Sequence, residues 1–319
     1  MTFSLITGGA GFIGTNLARV LLERGFKVLV IDDLSLGRRD ALPDVPDDGR
    51  LLFRQVDCAD AEALGRAVMD AGIVVSEVWH LAANSDIPAG VEDPSVDLHR
   101  TFLTTFGVLK FMREFRVPSL RFASSSAIYG DHAGASLTET TGPWEPVSNY
   151  GAMKLASEAQ IRAAVESWLQ RADIFRFPNV VGIPATHGVI LDFVRKLNRT
   201  PGVLDVLGDG AQCKPYIHVK DLVNAMLHIT GQSGKYVVFN IGPADQGASV
   251  RLIAEAVRDH VSPDAEIRYG LGSKGWVGDV ARVNYDISRL AATGWSSSRT
   301  SIEAVQQAVL DIAVQEARR

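Results

Sequence analysis

Thr7-Gly8-Gly9-Ala10-Gly11-Phe12-Ile13-Gly14 is the stretch on which the fold turns. An apolar run, Phe3 to Ile6, precedes it and reads as a first strand, and the residues beyond it, to about Arg24, read as a helix. Gly9, Gly11 and Gly14 carry the G-x-G-x-x-G spacing of a dinucleotide site. In that motif one glycine permits a tight turn, one lets the backbone approach a pyrophosphate, and one lets helix and strand pack closely. The phosphates sit at the helix N-terminus, where unpaired N–H groups and the helix dipole favour an anion. A second strand, Val28 to Ile31, ends at Asp32. A carboxylate there accepts hydrogen bonds from an adenosine ribose and repels a 2′-phosphate, so the expected cofactor is NAD rather than NADP. Glycines of an ordinary turn would account for the spacing, but not for the strand, helix and acid around it.

The same alternation continues along the chain. Leu51–Val56, Val74–Leu81, Leu120–Ala123 and Asp173–Phe177 read as further strands. Helical patterns at Ala61–Ala71, Asp93–Arg116 and Ser148–Gln170 separate them, with Pro94 opening one and Ser148 capping another. This rhythm predicts an α/β fold, a Rossmann-type doubly wound parallel sheet. Ligands of such sheets gather at the carboxyl ends of the strands. After Phe177 the rhythm breaks among prolines and glycines, and only Tyr216–Val219 and Tyr236–Ile241 read as short strands, around a helix at Asp221–Ile229. The expected organisation is an NAD-binding domain over residues 1–178, to which the chain returns at about 216–242. A smaller C-terminal substrate-binding domain takes 179–215 and 243–319.

Composition narrows the function. The 319 residues suit one large α/β unit or two joined domains, and the net charge of -5 argues against a nucleic-acid surface. Hydrophobic residues make up 46% of the chain, yet no run approaches membrane length. With a strand beginning at residue 3 and only Cys58 and Cys213 as cysteines, the expected location is the cytoplasm. No H-E-x-x-H or close Cys/His pair suggests a metal, and no G-x-x-x-x-G-K-[S/T] suggests phosphoryl transfer.

Tyr150-Gly151-Ala152-Met153-Lys154 is a Y-x-x-x-K, and Tyr216 and Lys220 form a second. On a helix, residues four apart share a face one turn apart, so Lys154 can lower the pKa of Tyr150. In a strand, residues four apart lie about 13 Å from each other. Tyr216 stands in a strand pattern, which leaves Tyr150 as the candidate base, with Lys154 supporting it and binding the nicotinamide ribose.

These residues resemble the extended short-chain dehydrogenase/reductase family, the NAD-dependent nucleotide-sugar epimerases and dehydratases. The likeness runs through Thr7–Gly14, the Asp-Asp-Leu-Ser-x-Gly stretch at 32–37, Asp57, His80-Leu81-Ala82-Ala83, Ser124–Gly130, Tyr150/Lys154, Phe175-Arg176-x-x-Asn179 and Tyr216-Ile217-His218-Val219-x-x-Asp221. It implies a catalytic hydroxyl four positions before Tyr129, at Ser125. It places Gly8, Gly11, Phe12, Ile13, Gly14, Asp32, Asp33, Asp57, Cys58, Leu81, Ala82, Ala83, Thr101 and Phe177, with Tyr150 and Lys154, around the cofactor. Around the nucleotide sugar it places Asn84, Ser85, Ser126, Asn179, His187, Val189, Lys214, Tyr216 and Arg282. His80 reads as packing beside the cofactor, and the cysteines as small buried hydrophobes. The long helices at 93–116 and 148–170 resemble the pair with which members form a four-helix dimer contact, so a homodimer is expected.

Some positions depart from the family pattern. Dehydratases carry Asp-Glu directly after the catalytic hydroxyl, where this chain has Ser126 and Ala127, neither of which serves as acid or base for removing water. The arginine two residues before the tyrosine of the Tyr-x-x-Val strand is Lys214, without the bidentate fork. The arginine before Gly-Asp in the tail is Trp276, and Arg282 takes its place as a candidate for the diphosphate. Ala82-Ala83-Asn84-Ser85-Asp86-Ile87 and Phe177–Asn179 through Thr186–Ile190 resemble a branch near the GDP-manno-heptose 4-dehydrogenases. The sequence thus reads as an enzyme oxidising C4 of a nucleotide-linked sugar with NAD, most simply a 4-epimerase. The alternatives are a 4-dehydrogenase that releases the 4-keto sugar and, in another class, a non-catalytic NAD-sensing protein, against which the Tyr150/Lys154 pair and Ser125 weigh.

Overall fold

A computed structural model describes residues 2–45, 48–272 and 280–318. The chain divides into two compact units: residues 1–128, 148–176 and 226–239 form the first, and 129–147, 177–225 and 240–319 the second.

The first unit is built on a seven-stranded sheet. Its strands in chain order are β1 (Thr2–Thr7), β2 (Val28–Asp32), β3 (Leu51–Gln55), β4 (Val74–His80), β5 (Ser119–Ala123), β6 (Arg171–Arg176) and β7 (Tyr236–Asn240). They lie in the order β7-β6-β5-β4-β1-β2-β3, and the pairs among β1 to β6 run parallel. Every residue of β2 is buried, as befits a parallel strand covered on both faces. The helices are α1 (Phe12–Glu23), α2 (Ala61–Asp70), α3 (Ile87–Glu92), α4 (Pro94–Asp97), α5 (Thr104–Glu114) and α6 (Asn149–Ser167). Leu5, Leu29, Leu64, Val78, Phe111, Leu120, Phe122 and Ile161 meet in one core. This is the doubly wound architecture read from the sequence.

One element differs from the expected single helix over 93–116. α4 and α5 are joined by a π-helical stretch, Leu98–Leu103, and α3 precedes them as a separate helix begun by Asp86 and ended at Asp93, which in turn caps α4. The π turn carries Thr101, whose hydroxyl oxygen accepts from the Asn84 N–H. Ser148 caps α6 as the sequence predicts, its Oγ accepting from the Gly151 N–H, a contribution of about 1 kcal/mol.

The second unit has its own core. Helices Val189–Arg199, Val250–Val261 and Ser301–Ala317 bury Leu191, Val194, Ile253, Val257, Val305 and Val309 together. Small sheets pair Asn179–Val181 with Tyr216–His218, Val203–Val206 with Glu266–Tyr269, and Cys213–Lys214 with Ala248–Ser249. Residues 129–147, read from the sequence as part of the first domain, belong here: Tyr129 donates its hydroxyl to Asn240 Oδ1 at 2.7 Å, and Ser136–Leu137 pairs with Asn284–Tyr285. Among the described residues, no helix is long and apolar enough to cross a membrane.

Candidate active site

The glycine loop joins β1 to α1. Gly8 has φ +67°, a left-handed conformation, and a Cβ there would stand 2.7 Å from the Ala82 backbone nitrogen. Any side chain on Gly14 would collide with the Gly8 carbonyl. The loop is therefore pressed against the end of β4 and the start of α1. Gly11 is the N-cap of α1, with no side-chain cap and no acid in the first turn. The N–H groups at Phe12 and Ile13 thus stand at a helix end suited to an anion.

Asp32 closes the other side. Its Oδ2 accepts from the Ala10 N–H and its Oδ1 from the Leu34 N–H, each at 2.9 Å. Burial pushes its pKa up while these two bonds pull it down. Asp33 is exposed and holds Ser35, and Asp57, also exposed, accepts from the Ala59 N–H at 2.8 Å. Cys58 is buried, its thiol pushed well up by burial, and packs as a small hydrophobe. The Leu81 N–H donates to the Thr7 carbonyl, which sets Leu81, Ala82 and Ala83 alongside the glycine loop. An anion-ready helix end, a fixed carboxylate at the end of the neighbouring strand and a small-residue wall fit a dinucleotide.

His80 ends β4. It is wholly buried between the hydroxyls of Thr7, 2.7 Å from Nδ1, and Thr105, 3.0 Å from Nε2, with Phe122 beside the ring. Burial, aided by the charge of Lys154, lowers its pKa to about 3.

Tyr150 and Lys154 lie one turn apart on α6, with the Lys154 Nζ 5.8 Å from the centre of the Tyr150 ring. Tyr150 is in the first turn, where the helix dipole favours a phenolate. Its surroundings nonetheless push its pKa up to about 12, chiefly by burial. The nearby Ser125 hydroxyl opposes that shift, and the charge of Asp97 adds to it. Lys154 is 2% exposed, and burial lowers its pKa to about 7 against the charges of Glu158 and Asp97. Ser126 and Ala127, half-buried, begin the short turn that follows. The rival pair does not form: Tyr216 is in a strand and Lys220 in the next helix.

Two participants, Glu158 and Asp97, are not singled out in the sequence, and Asn84, expected around the nucleotide sugar, joins them. Glu158, a turn beyond Lys154, receives two prongs from Arg176 and a short hydrogen bond from Ser124. Its place four residues after Lys154 was the available signal. Asp97 is wholly buried, and nothing local marks it. Asn84 is buried as well, and its amide is engaged with Asp97 and with the backbone of Asp86, whereas Ser85 is exposed.

Within the second unit, Tyr216 pairs with Asn179 across two parallel strands. Lys214 follows Cys213, which is bridged to Arg282. His187 is exposed, Val189 begins its helix and Phe177 is buried. Trp276 lies outside the described residues. No group of three or more His, Cys, Asp or Glu among the described residues could hold a metal ion.

The fold and these motifs define an NAD-dependent enzyme. Residues 4–242 match the NAD dependent epimerase/dehydratase family, and the chain belongs to it. It is 33% identical over 275 residues to the UDP-glucose 4-epimerase of Corynebacterium glutamicum, covering 80% of this chain and 79% of that one. To the dTDP-glucose 4,6-dehydratase of Mycobacterium tuberculosis it is 32% identical over 290 residues, covering 84% and 83%. The structure resembles that of the Thermus thermophilus UDP-glucose 4-epimerase in complex with NAD, with a TM-score of 0.84 at 30% identity over 98% of this chain and 99% of that one.

Proposed function

We propose that the protein interconverts nucleotide sugars as an NAD-dependent 4-epimerase. Overall likeness alone does not separate epimerases from dehydratases, since both stand at similar identity. The observation that carries the reading is local: the Ser125 hydroxyl stands close enough to Tyr150 to pull its pKa down against burial, while the next two positions hold Ser126 and Ala127. The site has a base and a hydroxyl holder but no acid at those positions to expel water.

Ser125 holds the sugar C4 hydroxyl against Tyr150, and the phenolate takes its proton. Lys154, as ammonium, stabilises that phenolate and binds the nicotinamide ribose. NAD, when bound, would supply the acceptor and donor for the C4 hydride. Asp32 accepts hydrogen bonds from the adenosine ribose, and Asp57 and Asp33 lie on the adenine side. Asn179, Lys214, Tyr216 and Arg282 take the sugar nucleotide, with Lys214 and Arg282 against the diphosphate. We also infer a homodimer, supported by the exposed Leu98 and Phe106 along residues 94–114, and a cytoplasmic location, which suits two free cysteines.

The test is to incubate enzyme and NAD, without another oxidant, with UDP-, GDP-, CDP- and dTDP-hexoses and follow products by mass and NMR. Formation of the C4 epimer at unchanged mass is expected. A ketone two hydrogens lighter, with NADH accumulating in proportion, identifies a 4-dehydrogenase instead.

A further inference from the structure

Asp97 has no exposed surface. Its Oδ1 accepts from the Asn84 amide at 3.0 Å and from the Thr101 hydroxyl at 3.4 Å. Its Oδ2 is buried with no hydrogen-bond partner, and Gly90 lies so close that any side chain there would run into the carboxyl. An ionised carboxylate with an empty oxygen is costly to bury unless an opposite charge compensates it.

The neighbouring charges identify that partner. From α6, which packs against α3 and α4, come Tyr150, Lys154 and Glu158; Arg176 comes from β6. Asp86, Glu92, Asp93, His99 and Arg100, on the elements around Asp97 itself, are all exposed. Glu158 and Arg176 neutralise each other through a two-pronged ion pair. One buried cation, Lys154, and one buried acid, Asp97, remain. Their influence is mutual: burial raises the pKa of Asp97, and the Asn84 and Thr101 bonds and the charge of Lys154 oppose that rise, while Asp97 in turn raises the pKa of Lys154 and of Tyr150.

We infer that Asp97 is a positioning residue for the Tyr150–Lys154 pair, its carboxylate being the buried counter-charge that favours the protonated forms of both Lys154 and Tyr150 in the cofactor-free enzyme. Asn84 and Thr101 hold that carboxylate in place, so the loop after β4 is tied to the electrostatics of the base. The catalytic consequence rests on the function proposed above; the charge relationship itself needs no substrate. A negative charge raises the proton affinity of every group near it, so its removal moves both members of the pair to lower pH.

Asp97→Asn keeps the shape and an oxygen for Asn84 and Thr101 while deleting the charge. The phenolate absorbance of the cofactor-free protein is titrated, and subtracting the matching Tyr150→Phe protein isolates Tyr150 from the other tyrosines. Tyr150 is expected to ionise about one pH unit lower in Asp97→Asn than in the wild type. An unmoved titration in a variant that melts cooperatively overturns the proposal and leaves Asp97 a structural residue. Should Asp97→Asn not fold, infrared spectroscopy of Lys154→Met decides. Loss of the cation is expected to leave a buried protonated carboxyl absent from the wild type, and its absence overturns the proposal. Failure to turn over any nucleotide sugar would defeat the proposed function without touching either readout.

Discussion

The ammonium of Lys154 donates to the carbonyl oxygen of Ala123 at 2.6 Å, which ties the helix that carries the candidate base to the carboxyl end of the fifth strand. The same Nζ lies 4.7 Å from the centre of the Phe122 ring. The aromatic face and the carbonyl both favour the charged form, yet burial dominates and brings the pKa down to about 7. Lys154 is thus held where it can change charge near neutral pH, beside a tyrosine that needs a cation to ionise.

That arrangement gives the first prediction. Tyr150→Phe keeps the ring and loses the proton-transfer group, so kcat should fall by about 10²–10⁴ with cofactor affinity little changed. Tyr216 is buried in a strand whose N–H donates to Ser301 Oγ. Tyr216→Phe should raise KM and leave kcat near the wild-type value. Steady-state kinetics of the two variants check the contrast; equal losses of kcat would remove the reason for choosing Tyr150.

Asp32 gives the second. Its two oxygens are fixed by the Ala10 and Leu34 N–H groups, so the carboxylate cannot swing away from a ribose. Wild-type enzyme should bind NADH more tightly than NADPH. Asp32→Ala should weaken NADH about ten- to a hundredfold, the scale of a hydrogen bond to a charged group, and narrow the gap. Fluorescence titration with both cofactors measures this, and equal wild-type affinities would contradict it.

The third concerns assembly. Leu98 and Phe106, about two turns apart on the helical segment 94–114, are 41% and 49% exposed, more apolar surface than a solvent-facing helix needs. Light scattering at micromolar concentration should give the mass of a dimer, and Phe106→Glu that of a monomer. A wild-type monomer under those conditions would rule the interface out.

What the sequence made legible follows from range. The strand, glycine loop, helix and acid from Phe3 to Asp32 are local signals, and so are the Ser148 cap and the four-residue spacing of Tyr150 and Lys154. Residues 129–147 group with the second unit through long-range contacts that leave no local mark in the sequence, such as the bond of Tyr129 to Asn240, which spans 111 positions. Asp97 was invisible for the same reason: its partner Asn84 lies across an intervening helix, and an aspartate between Val96 and Leu98 carries no periodic mark.

The last prediction follows from His80. Its ring is buried between Thr7 and Thr105, and its pKa is lowered to about 3, first by burial and then by the charge of Lys154. The folded protein holds the ring neutral, whereas the unfolded chain protonates it below its ordinary pKa of about 6.5. Between about pH 3 and 6.5 the unfolded state therefore binds more protons, so stability is complete above that window and falls on acidification through it. At about 1.4 kcal/mol per pH unit, His80 contributes a loss of up to about 2 kcal/mol between pH 6.5 and pH 5. His218, whose pKa is lowered mainly by burial, contributes with the same sign. Urea unfolding of the wild type and of His80→Gln at several pH values separates the two. The variant should be less stable at pH 7, having lost the hydroxyl contacts, but should lose less on going to pH 5. Parallel pH dependences would mean that His80 is not held neutral, and with it would go the view that the end of β4 beside the glycine loop is a dry, rigid wall.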